Sequence, residues 1–355
     1  MELDPINRSY VFNFEKTHNE DAFTDYMKMH WTDSIIYSVV YVIVVFGTQL
    51  YMHSRRRFDL RPTLAFWSGL LAVFSIIGAI RTVPELVWSL SHYGFKYSCC
   101  NNSFMGQGKI TSFWTALFVL SKVLELGDTV FIVLRKQPLI FLHWYHHATV
   151  LMYVWYSYPE KIASGRWFMV MNYVVHSFMY TYYFLRAMKY QFPKWVNMCI
   201  TSMQLLQMVV GILVNVVAYA VLIDGGDCGH NYINIKYCLM MYLSYLVLFA
   251  HFFYTTYMMK KPAPEEEKEK RHWYKSCLGF KIIAPYQIIA SQMSIPDELT
   301  ENDKCITAMK SQFVLINSLL FYSWLLVMIE RVLNRFPPIL CAKVLTCVVI
   351  SWRCD

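Results

Sequence analysis

Charged residues are scarce in this sequence. Asp, Glu, Lys and Arg together make up 16% of its 355 residues, whereas a soluble domain usually has about 25%. That is too few to coat the surfaces of the roughly two or three soluble domains that this length would otherwise suggest. Cysteine is also sparse, with ten residues, which excludes a small secreted scaffold held together by disulfides.

Hydrophobic residues, in contrast, make up 56% of the chain, and aromatic residues make up 17%. This aromatic content excludes an intrinsically disordered protein. A cleavable signal peptide has a short apolar core behind a basic start. The first residues of this sequence do not show that pattern. The composition therefore predicts an all-α, polytopic membrane protein.

Seven apolar segments are long enough to cross a membrane, for which a helix needs about 20 mainly apolar residues. They comprise residues 34–52, 64–81, 113–134, 139–157, 166–186, 195–223 and 234–259. We therefore divide the chain into an N-terminal segment (1–33), a seven-span domain (34–260) and a C-terminal tail (261–355). Within the tail, residues 312–329 form a further apolar stretch that is a candidate eighth span.

Lysine and arginine predict the orientation of the spans, because short cytosolic loops of membrane proteins carry an excess of both. The loops 53–61, 135–138 and 186–194 contain nine Lys or Arg in 22 residues, whereas the longer loops on the opposite side contain six. We therefore expect the N-terminal segment to face the lumen.

Two further features lie on the predicted luminal side. The Asn-x-Ser/Thr sequons are at Asn7 and Asn101, which are candidate glycosylation sites. Cys99 or Cys100 and Cys228 lie in two luminal loops, where a disulfide can persist. Chance sequons and free cysteines are the alternatives, and the residues alone leave them open.

Polar and ionisable side chains recur within four consecutive spans, where they are costly unless they face a cavity or one another. In each span their spacing places them on one helix face. They are Lys122, Glu125 and Asp128 in the third span, His143, His146 and His147 in the fourth, Asn172, His176, Tyr180 and Tyr183 in the fifth, and Thr201, Gln204 and Gln207 in the sixth. The pattern predicts a helical bundle around a polar-lined pocket nearer the cytosolic side.

Some of these residues also have a structural interpretation that the sequence leaves open. Lys122 and Glu125 are spaced to form an ion pair that locks helices together. Tyr183 fits an interfacial aromatic belt, and Gln204 and Gln207 fit hydrogen bonds between helices. Three histidines within five residues are harder to explain as packing residues.

The histidine pattern invites two chemical interpretations. Membrane desaturases and hydroxylases hold two irons with several histidine boxes, but this chain has one such box. A single zinc needs further ligands, and no cysteine or carboxylate is spaced near the box to supply one. The alternative is metal-free acyl transfer, in which a neutral imidazole attacks a thioester. The residues favour acyl transfer without a metal or another cofactor.

The polar faces occur in the order and spacing of motifs from a known family. They read Lys122-x-x-Glu125-x-x-Asp128-Thr129, His143-x-x-His146-His147, Asn172-x-x-x-His176-x-x-Met179-Tyr180-x-Tyr182-Tyr183 and Thr201-x-x-Gln204-x-x-Gln207. Over residues 30–260 the sequence resembles the very-long-chain fatty acid elongase (ELO) family. Its Phe-Leu-His-Trp-Tyr-His-His box resembles the elongase 6-like branch, which acts on saturated and monounsaturated acyl chains.

The resemblance implies a multi-pass enzyme of the endoplasmic reticulum membrane, in which six of the seven spans form a barrel around a narrow substrate tunnel. It implies a 3-oxoacyl-CoA synthase, an acyltransferase that condenses long-chain acyl-CoA with malonyl-CoA to give 3-oxoacyl-CoA, CoA and carbon dioxide. It also implies a disulfide between Cys100 and Cys228.

The partners implied by the resemblance are acyl-CoA, malonyl-CoA, membrane lipid and the other enzymes of the elongation cycle. Those enzymes are the 3-oxoacyl-CoA reductase, the dehydratase and the enoyl-CoA reductase. No nucleic acid is expected as a partner.

We combine the resemblance with the chemistry of the residues in one hypothesis about catalysis. His146 attacks the acyl thioester to form an acyl-imidazole, and the enolate from malonyl-CoA then takes the acyl group. His176 binds the thioester carbonyl or shuttles a proton, while His143 and His147 position and polarise this pair. Asn172 orients a hydrogen-bond donor.

A second group of residues is predicted to bind the substrates. It comprises Lys122, Glu125, Asp128, Tyr180, Tyr183, Gln204 and Gln207. Lys122 is expected to attract the CoA phosphates together with a basic cytosolic rim of Arg135, Lys136, Lys189 and Lys194. The positive-inside bias explains the charge of this rim equally well.

Two other functions are compatible with polar residues inside a membrane. A lipid or ion transporter would use His and Glu as proton relays, and its helices would be broken at midplane by Gly or Pro. A metal-dependent lipid oxygenase would contain iron. The tail after residue 262 departs from the family, whose members usually end soon after the seventh span.

Overall fold

A computed structural model describes residues 10–259 of the chain. Asn7 and the tail with its candidate eighth span lie outside the described residues. Every regular element between residues 10 and 259 is helical. The elements are α1 (Asn13–Lys16), α2 (Glu20–His30), α3 (Asp33–Met52), α4 (Arg61–Cys100), α5 (Ile110–Glu125), α6 (Gly127–Leu134), α7 (Phe141–Ser157), a 3₁₀ helix (Tyr158–Glu160), α8 (Gly165–Ala187), α9 (Lys194–Ile223), α10 (Tyr232–Phe253) and a π-helical turn (Tyr254–Met258).

Four of these helices are long and apolar enough to cross a membrane: α3, α4, α9 and α10 with its π-helical turn. The prediction of an all-helical chain with helices that could span a membrane is therefore confirmed for the described residues. The other predicted segments are also helical. However, α7 has 17 residues, fewer than the roughly 20 that a span needs, and α8 carries the polar face described above. The count of seven spans stays a prediction.

Two of the predicted segments differ from the helices of the structure. The segment 113–134 is divided into α5 and α6, and the segment 64–81 is the first half of a longer helix, α4. The second half of α4 carries Glu85, which is neutralised by Arg166 on α8, with Arg166 Nε 2.9 Å from Glu85 Oε2. The kink in α4 is at Gly94, whose φ of 82° is strained for residues with a Cβ.

The contacts between helices run in a closed circuit of six. α4 packs on α5, α5 on α7, α7 on α10, α10 on α9, α9 on α8, and α8 on α4. Helix α3 packs against α6 and α7. Four helices that carry predicted polar residues, α5, α7, α8 and α9, therefore belong to one circuit, in which α5 is next to α7 and α8 is next to α9. These pairwise contacts do not establish a barrel around a tunnel, which stays a prediction.

One end of the bundle, called the disulfide end here, contains Cys100 and Cys228. The two residues form a disulfide, the pairing that the family resemblance implies, and Cys99 is free and buried. Beside them, His230 Nε2 accepts a hydrogen bond of 3.0 Å from the backbone N–H of Ser164. Burial lowers the pKa of His230 to about 4, so this imidazole stays neutral at neutral pH.

The sequon at Asn101 lies next to the disulfide. Asn101 Oδ1 accepts a hydrogen bond of 2.8 Å from the backbone N–H of Ser103. The hydroxyl of Ser103 in turn accepts a hydrogen bond of 2.7 Å from Arg166 Nη2. Glycosylation of Asn101 stays a prediction.

The N-terminal segment is attached to the bundle by buried carboxylates. Glu15 is fully buried, and its Oε2 atom lies 2.6 Å from Arg81 Nη2. Trp114 Nε1 also donates to Glu15, at 2.8 Å. Glu20, which is also buried, pairs with Lys161 at 2.9 Å. Two acidic residues thus hold helices α1 and α2 against the rest of the chain.

Helices α4 and α8 approach closely because Gly78 has no Cβ. A Cβ at this position would overlap the ring of Tyr173. That ring has little freedom to move, because its hydroxyl donates to Trp114 O at 2.9 Å and its faces contact Phe74 and Phe118. Small residues allow such close approach between membrane helices.

We expect Gly78→Ala to lower the stability of the fold by about 1–3 kcal/mol, as overpacking of a filled interface does. The matched control is Gly47→Ala on α3, where a Cβ would meet no atom within 4 Å. Thermal unfolding of both purified full-length variants in detergent measures the difference. Equal unfolding temperatures would show that the α4–α8 contact is not tightly packed.

Candidate functional site

A cavity of about 660 Å³ brings together most of the residues predicted to form the site, and it is called the polar cavity here. Ten of them line it, namely Asp128, His143, His146, His147, Asn172, His176, Tyr180, Tyr183, Gln204 and Gln207. His146 and His176 thus face one space from two helices, α7 and α8. Lys122 and Glu125 do not line this cavity.

A second cavity is narrow, about 70 Å³, and mainly apolar, and it is called the apolar cavity here. It extends to Phe104 near the disulfide end. Its lining shares His146, Asn172, Gln207 and Met208 with that of the polar cavity. These four residues therefore mark the place where the polar and apolar spaces meet.

Helix α7 holds the three histidines of the predicted box on neighbouring positions. The ring of His147 is buried between the others, with its centroid 4.5 Å from that of His143 and 5.4 Å from that of His146. His143 Nε2 lies 3.0 Å from Thr129 Oγ1, which is 2.7 Å from the hydroxyl of Tyr41. A chain of hydrogen bonds thus ties the box to α6 and α3.

Helix α10 supports His146 from the other side. The ring of Tyr245 packs against His146, with 4.9 Å between the centroids, and its hydroxyl is hydrogen-bonded to Thr149 Oγ1. On an adjacent face of α7, the hydroxyl of Tyr145 donates a hydrogen bond of 2.9 Å to Ser244 Oγ on α10. These contacts fix the rotation of α7 and so the direction in which His146 faces.

A network of four side chains joins α5 to α8 behind the polar cavity. Lys122 Nζ donates to Glu125 Oε1 at 2.7 Å and to Asn172 Oδ1 at 2.8 Å. Asn172 Nδ2 lies 3.1 Å from His176 Nε2. His176 Nδ1 lies 3.9 Å from Glu125 Oε2. Because Asn172 and His176 line the cavity, this network sets the position of two groups that face it.

The network changes the role expected for Lys122. Its side chain is 2% exposed, Glu125 is 3% exposed, and neither lines the polar cavity. A direct contact of Lys122 with CoA phosphates does not fit this position, nor does a substrate contact of Glu125. Both residues form the buried ion pair that the sequence left open as the alternative.

The basic rim also differs from the prediction. Arginines line the polar cavity from three predicted cytosolic loops or their borders, namely Arg61, Arg135 and Arg186. Arg135 was expected there, whereas Lys136, Lys189 and Lys194 are not among the lining residues. Lys136 instead donates to the backbone oxygens of His53 and Arg55, at 3.1 and 3.0 Å, and so fastens the loop that follows α3.

Asp128 holds two aromatic side chains at the wall of the polar cavity. Its Oδ1 atom accepts a hydrogen bond of 2.7 Å from Trp67 Nε1, and its Oδ2 atom accepts one of 2.7 Å from the hydroxyl of Tyr180. Tyr180 is buried, whereas Tyr183 is 47% exposed. Gln204 Nε2 lies 3.4 Å from Met179 Sδ. Among the hydrogen bonds of residues 10–259, this weak contact is the one that involves the Gln204 amide.

Sequence reasoning missed several of these residues. Trp67, Tyr41 and Tyr245 lie in apolar spans, where an aromatic residue gives no signal of a polar contact. Arg61 and Arg186 belong to the excess of Lys and Arg in the predicted cytosolic loops. That excess is the sequence signal that could have pointed to them. Among the described residues 10–259, no group of three or more His, Cys, Asp or Glu is arranged to hold a metal ion.

Comparison with known proteins gives consistent matches. The family model described as ELO: GNS1/SUR4 family matches residues 26–265. A Drosophila melanogaster protein named very long chain fatty acid elongase 6 is 47% identical over 308 residues, which cover 86% of this chain and 94% of the relative. The human protein named very long chain fatty acid elongase 6 is 47% identical over 70% of this chain and 93% of the relative. The human protein named very long chain fatty acid elongase 3 is 41% identical over 70% of this chain and 91% of the relative.

The match to the Drosophila melanogaster protein also bears on the tail. Its 308 matched residues cannot fit within residues 1–262, so the similarity extends beyond the seventh predicted span. Part of the tail is therefore shared with that relative.

We expect Lys122→Met to destabilise the protein by about 3–5 kcal/mol, because it leaves the buried carboxylate of Glu125 without a cation. The double variant Lys122→Met/Glu125→Leu removes both charges and should regain most of that stability. Thermal unfolding of the purified variants measures both effects. A double variant as unstable as the single one would contradict the proposed coupling.

Proposed function

Because the chain belongs to the ELO (GNS1/SUR4) family, we propose that it catalyses the condensing step of fatty acid elongation. The reaction joins a long-chain acyl-CoA and malonyl-CoA to give 3-oxoacyl-CoA, CoA and carbon dioxide. Relatives that share 46–47% of their residues with this chain are named very long chain fatty acid elongase 6. Saturated and monounsaturated long-chain acyl-CoA are therefore the proposed substrates.

The observation that carries this proposal is the position of His146 on the shared wall of the two cavities. An acyl-CoA has an anionic head and an apolar chain, and its reactive thioester lies between them. The polar cavity with Arg61, Arg135 and Arg186 suits the phosphates, and the mainly apolar lining of the second cavity matches the apolar character of the chain. A substrate that occupies both spaces has its thioester beside His146.

In the first half of the reaction, neutral His146 attacks the carbonyl carbon of the acyl thioester. A carbon–nitrogen bond forms and the carbon–sulfur bond breaks. CoA leaves as a thiolate, which takes up the proton that the imidazole loses. His176 and Asn172 line the same cavity, and we assign them the roles of assisting with this proton and with the developing oxyanion.

In the second half, malonyl-CoA enters the polar cavity and loses carbon dioxide. The electrons of the broken carbon–carbon bond form an enolate, whose carbon attacks the acyl group on His146. A carbon–carbon bond forms, the carbon–nitrogen bond breaks, and the imidazole regains a proton from solvent. His143 and His147 hold the ring of His146 in place during both halves.

The product must then be processed by other enzymes, because a 3-oxo group is not part of a saturated chain. Reduction, dehydration and a second reduction convert it to an acyl chain that is two carbons longer. A 3-oxoacyl-CoA reductase, a dehydratase and an enoyl-CoA reductase are the proposed partners for these steps.

The proposed location is the endoplasmic reticulum membrane, with seven spans, a luminal N-terminus and a cytosolic polar cavity. The basic loops support this orientation, because the arginines that line the cavity belong to the side with the excess of Lys and Arg. The disulfide end then faces the lumen, where disulfides persist.

Cysteine labelling tests this orientation. His53 and Asp224 are exposed and directly follow the C-terminal ends of α3 and α9, which the proposed topology places on opposite sides of the membrane. In sealed microsomes, a membrane-impermeant maleimide should add label to His53→Cys above the background of the parent chain. Asp224→Cys should gain label only after permeabilisation. The reverse pattern would contradict a luminal N-terminus.

The condensation itself is tested with microsomes that express the full chain, palmitoyl-CoA and labelled malonyl-CoA. We expect a 3-oxo product two carbons longer, and we expect His146→Ala to reduce its rate by more than about 100-fold. Incubation with palmitoyl-CoA alone should add one palmitoyl group to the His146 peptide, as peptide mass spectrometry can detect.

The matched control is His92→Ala, an exposed histidine at the far end of α4, which should condense at the normal rate. A folded wild-type chain without the 3-oxo product would refute the condensing activity. A His146→Ala variant with the normal rate would refute only the nucleophile assignment. Nothing in residues 10–259 favours a transporter or an oxygenase.

A further inference from the structure

The role of His176 depends on which of its two ring nitrogens carries the proton. A neutral imidazole has one N–H donor and one acceptor nitrogen. If Nε2 carried the proton, His176 could donate a hydrogen bond to the thioester carbonyl. If Nδ1 carries it, Nε2 can only accept a proton. The network behind the polar cavity distinguishes these two cases.

The first step is the orientation of the Asn172 amide. Lys122 has three N–H donors and no acceptor, so the Asn172 atom that lies 2.8 Å from Lys122 Nζ is the oxygen Oδ1. The nitrogen Nδ2 must then face His176, and it lies 3.1 Å from Nε2. Because Nδ2 is a donor, Nε2 of His176 is the acceptor.

The second step is the environment of the other ring nitrogen. With Nε2 as acceptor, the proton of neutral His176 is on Nδ1. Nδ1 lies 3.9 Å from Glu125 Oε2, and that oxygen is buried with no hydrogen-bond partner among residues 10–259. Glu125 Oε1 is already occupied by Lys122 and Ser121. The one unoccupied oxygen of the carboxylate therefore faces the nitrogen that carries the proton.

We propose that Lys122, Glu125 and Asn172 hold His176 in its Nδ1–H tautomer, so that His176 accepts a proton at Nε2 and Asn172 Nδ2 donates to the oxyanion. Lys122 and Glu125 are then positioning residues rather than substrate contacts. This inference rests on the proposed condensation, and it selects the proton-transfer role of His176 over a contact with the carbonyl.

The proton balance of acylation fits this tautomer. When one nitrogen of His146 gains the acyl group, the other nitrogen loses its proton, and His176 Nε2 takes it up. His176 becomes an imidazolium beside Glu125, whose unpartnered oxygen stabilises the new charge. The proton then passes from Nε2 to the departing CoA thiolate, which restores neutral His176. A protonated Nε2 is a donor and no longer accepts from Asn172 Nδ2, which is therefore released to bind the oxyanion.

The double variant Glu125→Gln/Asn172→Asp tests the tautomer, because it exchanges donor and acceptor at the two groups that face the ring nitrogens of His176 and keeps one carboxylate beside Lys122. The amide introduced at position 125 would donate to Nδ1, and the carboxylate introduced at position 172 would accept from Nε2. We expect this full-length variant to fold and to carry its proton on Nε2. We also expect kcat to fall by about 100-fold or more, with little change in KM.

Nitrogen-15 NMR of histidine-labelled full chain in nanodiscs reads the tautomer directly, with His176→Gln to assign the signal. An Nδ1–H signal in the wild type supports the proposal, and an Nε2–H signal overturns it without any variant. A folded double variant with wild-type kcat also overturns it, because the tautomer would then not matter for turnover.

Glu85→Gln is the matched control for the loss of a buried carboxylate. Glu85 pairs with Arg166 and lines neither cavity, so its removal should change stability but not the tautomer of His176. Activity of the wild type is measured first. A wild type without condensation refutes the proposed function, whereas the NMR result stands independently of it.

Discussion

The ion pair between Lys122 and Glu125 is the interaction on which the rest of the site depends. Burying two charges costs several kcal/mol per ion unless additional hydrogen bonds satisfy both. Here Lys122 also donates to Asn172, and Glu125 also accepts from Ser121. The pair therefore does more than neutralise itself. It fixes the amide of Asn172 on the neighbouring helix, and that amide lies where the polar and apolar cavities meet.

A second buried ion pair fastens the same helix nearer the disulfide end. Arg166, close to the start of α8, pairs with Glu85 on α4 and also donates to the backbone oxygen of Ser98. Next to Asn172, Tyr173 fills the space that Gly78 leaves open. Helix α8 is thus held at two levels along its length. Groups that are held in this way need little reorganisation when charge develops in a reaction.

The helical faces of the site followed from the sequence because a spacing of three and four residues is the geometry of one helix. That reasoning placed ten residues on one cavity. It did not separate residues that face the cavity from those that face each other, since Lys122 and Asp128 share a helix face. It also missed Trp67, whose contact with Asp128 joins residues 61 positions apart. Contacts at such separations are set by how helices pack, which residue spacing alone does not specify.

The disulfide has a consequence for the covalent structure of the site. Cys100 and Cys228 close a ring of the chain with a sequence separation of 128, and every polar face of the site lies inside it. A protease that cuts one loop within the ring would leave both pieces bound to each other. The ring also limits how far these helices can separate in an unfolded chain, which reduces the loop-closure entropy lost on folding. The helices that carry the polar faces are thus enclosed in one covalent ring, and the segments before Cys100 and after Cys228 lie outside it.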